Sequence, residues 1–131
     1  MTAIEPEGWP APVGYANGIL APRGRLLCVA GQVGCAPGGG FPEGGLAAQF
    51  AQALDNLLAV VAAAGGEARD VCRVTAFCTD RDAYLAARAD LGPVWRKRMG
   101  RHYPAMALVF VAALVDAEAL IELEATAVIP E

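Results

Sequence analysis

The sequence predicts an α+β fold with a mixed sheet, in the order β-β-α-β-α-β-β and with both helices on one face. Three observations lead there. Leu46, Phe50, Leu54, Leu57 and Val61 recur at the spacing of one helix face. Residues 71–79 and 121–129 alternate side-chain character in the way a strand does. Strands and helices then alternate along the chain. That calls for crossover connections, and two crossovers of one hand put both helices on the same side of the sheet.

Taken in order, residues 1–12 are rich in Pro and Glu and read as an irregular arm, with Trp9, between Gly8 and Pro10, expected to pin it to the body. Residues 15–21 form a first strand and residues 25–30 a second. Pro22-Arg23-Gly24 supplies the turn of a hairpin between them. Gly31-Gln32-Val33-Gly34 follows, and then a loop of Gly and Pro over residues 36–45. Its glycines lack the Gly-Lys-Ser/Thr of a phosphate loop and the spacing of a dinucleotide fold. The first helix covers residues 46–64 and ends at Gly65-Gly66, which accept positive φ. Residues 71–79 make the third strand. Asp80 or Asp82 caps a second helix, whose inner face carries Tyr84, Leu91, Trp95 and Met99. Gly92-Pro93 is a point for a bend, and Gly100 is the stop. Residues 102–129 hold two apolar runs around Val115-Asp116-Ala117-Glu118, read as a hairpin or a closely spaced strand pair. The whole chain, 1–131, reads as one domain.

Composition narrows the function. The chain is 56% hydrophobic and only 18% charged, against about 25% in an average protein. With both helices on one face, the other face of the sheet stays apolar and needs a cover. Thr75, Phe77, Val71 and one parity of the strand after residue 104 are its candidates, and a homo-oligomer is the expected cover. Net charge is −4 and Lys97 is the only lysine, so nucleic acid is not an expected partner. The N-terminus lacks a signal-peptide pattern, and the apolar stretches fall short of the ~20 residues a membrane span needs. A soluble, cytoplasmic protein is therefore expected. Its four cysteines fit that compartment: Cys72 and Cys78 are six residues apart on one strand and cannot pair in one chain.

Few residues carry chemistry. On the last strand Glu122 and Glu124 share one face, opposite Ile121, Leu123, Ala125, Ala127 and Ile129. A carboxylate in an apolar cleft can move protons or hold a water. His102 is the only histidine and has no ligand-spaced partners, so a metal site is not expected. The chain contains no serine, which excludes a Ser-His-Asp triad. A Cys-His pair with Cys35 or Cys28 stays open. Tyr15 is either a core-edge residue or a hydroxyl reaching a pocket. Gly31 and Gly34 free the backbone around Gln32 for binding a carbonyl or carboxylate.

Several short pieces, in order, match a known family. They are Gly14-Tyr15-x-x-Gly18, Val29-Ala30-Gly31-Gln32-Val33, Gln52-x-Leu54-Asp55-Asn56, Arg73-x-Thr75-x-Phe77, Tyr103-Pro104-Ala105 and Ile121-Glu122-Leu123-Glu124-Ala125. With them the chain resembles the RidA proteins, also called the YjgF or L-PSP endoribonuclease family, from about Pro12 to Pro130. The resemblance implies a chorismate-mutase-like fold, a homotrimer with three inter-subunit clefts for a small-molecule ligand, and no metal or other cofactor. Active members hydrolyse reactive imines or enamines. Carried over by position, the resemblance puts the water-holding glutamate on Glu122, the substrate-orienting tyrosine on Tyr15 and the backbone turn on Gly31. It puts the carboxylate-gripping arginine on Met106, and a frequent serine on Ala30. Methionine offers none of arginine's donors, which argues against 2-imino-acid substrates. A non-catalytic, metabolite-binding or structural trimer is the alternative. Ribonuclease activity, attached to the family by name, is opposed by the acidic charge.

Overall fold

The computed structural model describes residues 1–131. Its elements are β1 (Thr2–Ile4), β2 (Gly18–Leu20), β3 (Arg25–Val33), α1 (Gly45–Ala63), β4 (Val71–Cys78), α2 (Arg81–Met99), β5 (Ala105–Phe110) and β6 (Ile121–Ile129), with a short 3-10 turn at Ala68–Asp70. The main sheet has the order β3-β6-β4-β5. Strand β6 runs antiparallel to both β3 and β4, and β5 runs parallel to β4. The last strand in sequence therefore sits inside the sheet, between two strands that point the same way.

Strand β6 alternates as expected. Ile121, Leu123, Ala125, Ala127 and Ile129 are buried on the helix side, and Glu122, Glu124, Thr126 and Val128 face the other way. Leu54, Leu57 and Val61 of α1 are fully buried against that core. Helix α1 has the length and apolar character of a membrane span, yet one face packs on the sheet and another carries Asp55, ion-paired to Arg98 of α2 at 2.6 Å. Helix α2 begins at Asp80, whose carboxylate accepts from the Ala83 N–H at 3.0 Å, runs through Pro93, and stops at Gly100 with φ 62°. Trp95 stacks between Phe50 and Tyr103 and joins the two helices to the entry of β5.

Four expectations are corrected. Strand β2 does not form a hairpin with β3; it pairs with β1, so residues 1–12 are not wholly irregular. Asn17 explains part of this, because its backbone N–H and side chain both donate to the Glu5 carboxylate and bring the arm alongside β2. Trp9 is not a pin: it is 62% exposed. The closing runs are not a hairpin either, because β4 lies between β5 and β6. Residues 111–120 step over the end of β4, tied by Val111 N–H to Cys78 O at 2.8 Å and Thr79 N–H to Leu120 O at 3.2 Å. Finally, Val71 is fully buried rather than on the open face, because the β4–β6 register shifts between Val71 and Arg73.

Across the helix-free face, β3 contributes Leu26 and Cys28, β6 Thr126 and Glu124, β4 Arg73, Thr75 and Phe77, and β5 Val109. Leu26, 69% exposed, and Val109, 42%, leave this face apolar and open in the single chain.

Cys78 is fully buried, and burial pushes its thiol up to about 11. An unfolded cysteine ionises near about 8.5. Between those values the unfolded chain loses a proton that the folded chain keeps. Stability should therefore be intact below that window and fall as pH rises through it. Urea midpoints measured from pH 8 to 11 should show the decline, and Cys78→Val should flatten it.

Candidate functional site

The site begins with a slip in register. Strands β3 and β6 pair regularly from Arg25 to Val29 and resume at Gln32 and Val33, which leaves Ala30 and Gly31 as a bulge. Glu122 lies opposite Val33 on one side and Phe77 on the other. Its half-buried carboxylate comes down onto the bulge. A Cβ built on Gly31 would sit 2.8 Å from Glu122 Cδ and 3.1 Å from each carboxylate oxygen. Glycine at position 31 is what permits this approach. Ala30 is exposed beside it, and its carbonyl accepts from Gln32 Nε2 at 3.2 Å.

Helix α1 holds this strand end in place. Asn56 Nδ2 donates to Val33 O at 3.1 Å and to Cys35 O at 2.8 Å, while its Oδ1 accepts from Gln52 Nε2 at 2.9 Å. Gly34 rests on the helix backbone so closely that a Cβ would lie 2.4 Å from Gln49 O. Gln49, buried on the same helix, clamps the loop into β6: its Nε2 donates to Glu118 O at 2.9 Å, and its Oε1 accepts from Leu120 N–H at 2.7 Å. A cleft of about 370 Å³ opens beside Gly31, Gln32, Cys35 and Asn56. Neither Glu122 nor Glu124 is ion-paired; the chain's salt bridges are Arg69–Glu67 and Arg98–Asp55.

Within one chain the other expected site residues lie elsewhere. Met106 pairs in register with Val74 and shares its helix-side face, opposite to Glu122 and Phe77. It lines a second cleft, of about 320 Å³, with Tyr84, Arg88, Trp95, Arg96 and Tyr103 among its neighbours. Tyr15 precedes a parallel bridge between Ala16 and Ala105. It lines a third hollow with Arg101 and His102. Arg73 lies on the open sheet face beside Glu124. So one chain joins Glu122 to Gly31 and Ala30, and leaves Met106 and Tyr15 apart from them.

His102 serves the fold. Its Nε2 donates to Val71 O at 2.6 Å, and its own carbonyl accepts from Trp95 Nε1 at 3.1 Å. Partial burial raises the pKa of Cys72, whose Sγ–H donates to Thr126 O at 3.3 Å.

A family model described as endoribonuclease L-PSP matches residues 9–129. The chain belongs to that family, the RidA/YjgF proteins. A RutC family protein of Pyrococcus horikoshii is 34% identical over 92% of each chain. The 2-iminobutanoate/2-iminopropanoate deaminase of Escherichia coli K12 is 32% identical over 95% of each. Among solved structures, the Rid family protein YyfB of Yersinia pestis superposes with a TM-score of 0.87 at 32% identity and 98% coverage of each chain. RidA-family membership thus agrees with the expected fold of two helices on a mixed sheet.

Sequence reasoning missed three kinds of residue. Gln49 was legible as a polar residue within the apolar face of α1. Asn56 ends the piece Gln52-x-Leu54-Asp55-Asn56, and nothing in that spacing points to the carbonyls it holds. Arg88 stands at the spacing of the α2 stripe, between Tyr84 and Leu91, and that stripe was counted through apolar residues alone.

The Gly31–Glu122 contact makes a double-mutant cycle informative. Gly31→Ala should cost about 0.5–1 kcal/mol when Glu122 is present and be near neutral in Glu122→Ala, as directly touching residues are coupled. Urea unfolding of the four chains measures it.

Proposed function

We propose that this chain is a cytoplasmic, trimeric hydrolase of reactive imines or enamines, working in clefts between subunits. The observation that carries the reading is the Glu122 carboxylate seated on the Gly31 bulge and unpaired by any cation, with Gly31 itself lining a cleft. The placement of Met106 and Tyr15 away from Glu122 within one chain supports a composite site, to which a second copy brings them. The open apolar face supports an oligomer of this kind. The deaminase named above, 32% identical along nearly the whole chain, supports the reaction class.

Chemically, the step needs one base and one water. Glu122 takes a proton from the water as the oxygen bonds to the imine carbon, and the C=N pair moves to nitrogen. Glu122 passes that proton to the nitrogen to give a carbinolamine, then takes the hydroxyl proton and relays it to the same nitrogen, so that the C–N bond breaks, ammonia leaves and the C=O forms. Exposed backbone at the bulge and the Tyr15 hydroxyl orient the substrate. Met106 presents an apolar wall where an arginine would grip a carboxylate.

Ammonia release from freshly generated 2-iminobutanoate and from a bulkier imine tests this. Glu122→Ala should lose at least 10²-fold in kcat/KM, the usual scale of general-base catalysis. Met106→Arg should raise activity on 2-iminobutanoate. A wild type silent on both substrates, with Met106→Arg silent too, leaves the alternative of a metabolite-binding trimer.

The oligomer has its own check. Cys28, exposed in the single chain on the open sheet face, should be protected from iodoacetamide in the assembled protein and should label once the trimer is dissociated. Sedimentation should give three times the chain mass. A monomer that labels freely at Cys28 would exclude the inter-subunit cleft.

A further inference from the structure

The second cleft has an unexplained charge. Its lining is largely apolar, with Trp95, Tyr103 and Met106 among its walls, and it contains no acidic residue. Two arginines line it, Arg88 and Arg96, and neither has an ion-pair partner. The contrast lies on the same helix. Arg98, two residues on, is bound by both oxygens of Asp55, at 2.6 and 3.1 Å.

The positions of these arginines follow from the sequence. Tyr84, Arg88, Leu91, Trp95 and Met99 are spaced by four, three, four and four residues, so Arg88 occupies the inward stripe of α2. A stripe position normally carries an apolar residue. Arg88 lines the cleft and is exposed, which leaves its charge in reach of solvent. Arg96 is one turn beyond Gly92, and a Cβ on Gly92 would lie 3.3 Å from Arg96 Nη1. Gly92 gives Arg96 room to lie back along the helix toward the same cleft. Unpaired guanidinium over an apolar, aromatic floor complements an amphiphilic anion.

We propose that Arg88, assisted by Arg96, holds the carboxylate of a small acid whose apolar or aromatic body packs against Trp95, Tyr103 and Met106. The positive charge absent from β5 at Met106 is thus supplied from α2 across the same cleft. The inference rests on the hydrolase reading for the identity of the reaction, and its binding claim stands apart from it. Its substrate class is a carboxylate with a bulky apolar side chain, because Met106 puts an apolar wall at the strand where a donor would stand.

The test uses Trp95 as reporter in a Trp9→Phe background, which leaves one tryptophan. The full-length protein is titrated with phenylacetate and with its neutral counterpart phenylacetamide. Phenylacetate should bind threefold to tenfold more tightly, the range between an exposed ion pair and a bidentate one. Added salt should weaken phenylacetate alone. Arg88→Gln should abolish the preference and Arg88→Lys should keep part of it; both side chains are exposed, so folding is unaffected. Equal or undetectable binding of the two ligands, or a preference that survives Arg88→Gln, overturns the proposal. If the preference depends on Arg88 and no variant hydrolyses imines, the anion site stands and the hydrolase reading falls. If Arg88→Gln hydrolyses a bulky imino acid with unchanged kcat/KM, the anion site falls alone.

Discussion

Everything in this molecule depends on where β6 is inserted. The last strand fills the gap between β3 and β4, which run parallel to each other and share no ladder without it. Until residues 121–129 arrive, α1 covers two strands that share no hydrogen bonds. The insertion then satisfies a backbone ladder on both sides of β6 and buries five of its side chains at once. This is a non-local event. The loop that delivers the strand is accordingly clamped by a buried side chain, Gln49, which both donates to and accepts from it.

The same insertion makes the candidate site. A strand buried on one face and pinned between two partners has no freedom to slip, so an irregularity in its neighbour stays where it forms. The bulge at Ala30 and Gly31 is such an irregularity. It lies on the edge strand, where backbone outside the ladder is tolerable, and Asn56 and Gly34 hold its far side against α1. Glu122 is then delivered onto glycine by register rather than by loop conformation. A carboxylate held by a central strand is positioned more rigidly than one carried on a loop.

How much of this could be read beforehand follows from the range of each signal. Periodicity is local, so the two helices, β4 and the alternation of β6 were visible in residues a few positions apart. Pairing is not local. The runs 105–110 and 121–129 look like neighbours because little separates them, yet residues 111–120 are long enough to cross an intervening strand. Likewise the turn at Pro22-Arg23-Gly24 exists without joining two paired strands, because β2 finds β1 instead. Glu122 and Gly31 were legible as separate candidates through alternation and resemblance. Their contact was not, since it arises from a register slip that no residue spacing announces.

The chain's economy of charge has a related consequence. With so few charged side chains, those that are unpaired on apolar surfaces stand out more than the many acids and bases of an ordinary surface. Asp55 and Arg98 neutralise each other between the helices. Glu122 sits on one face of the sheet, and Arg88 lies in the cleft on the other. An acid and a base kept on opposite faces of one chain do not quench each other across it. A second copy that packs the open face of one chain against the α2–β5 side of another would bring them to one cleft, with a substrate between them. Opposite charges separated by the sheet in the monomer and joined by assembly would make the site depend on the oligomer itself. Dissociation would then remove the function without unfolding a single strand.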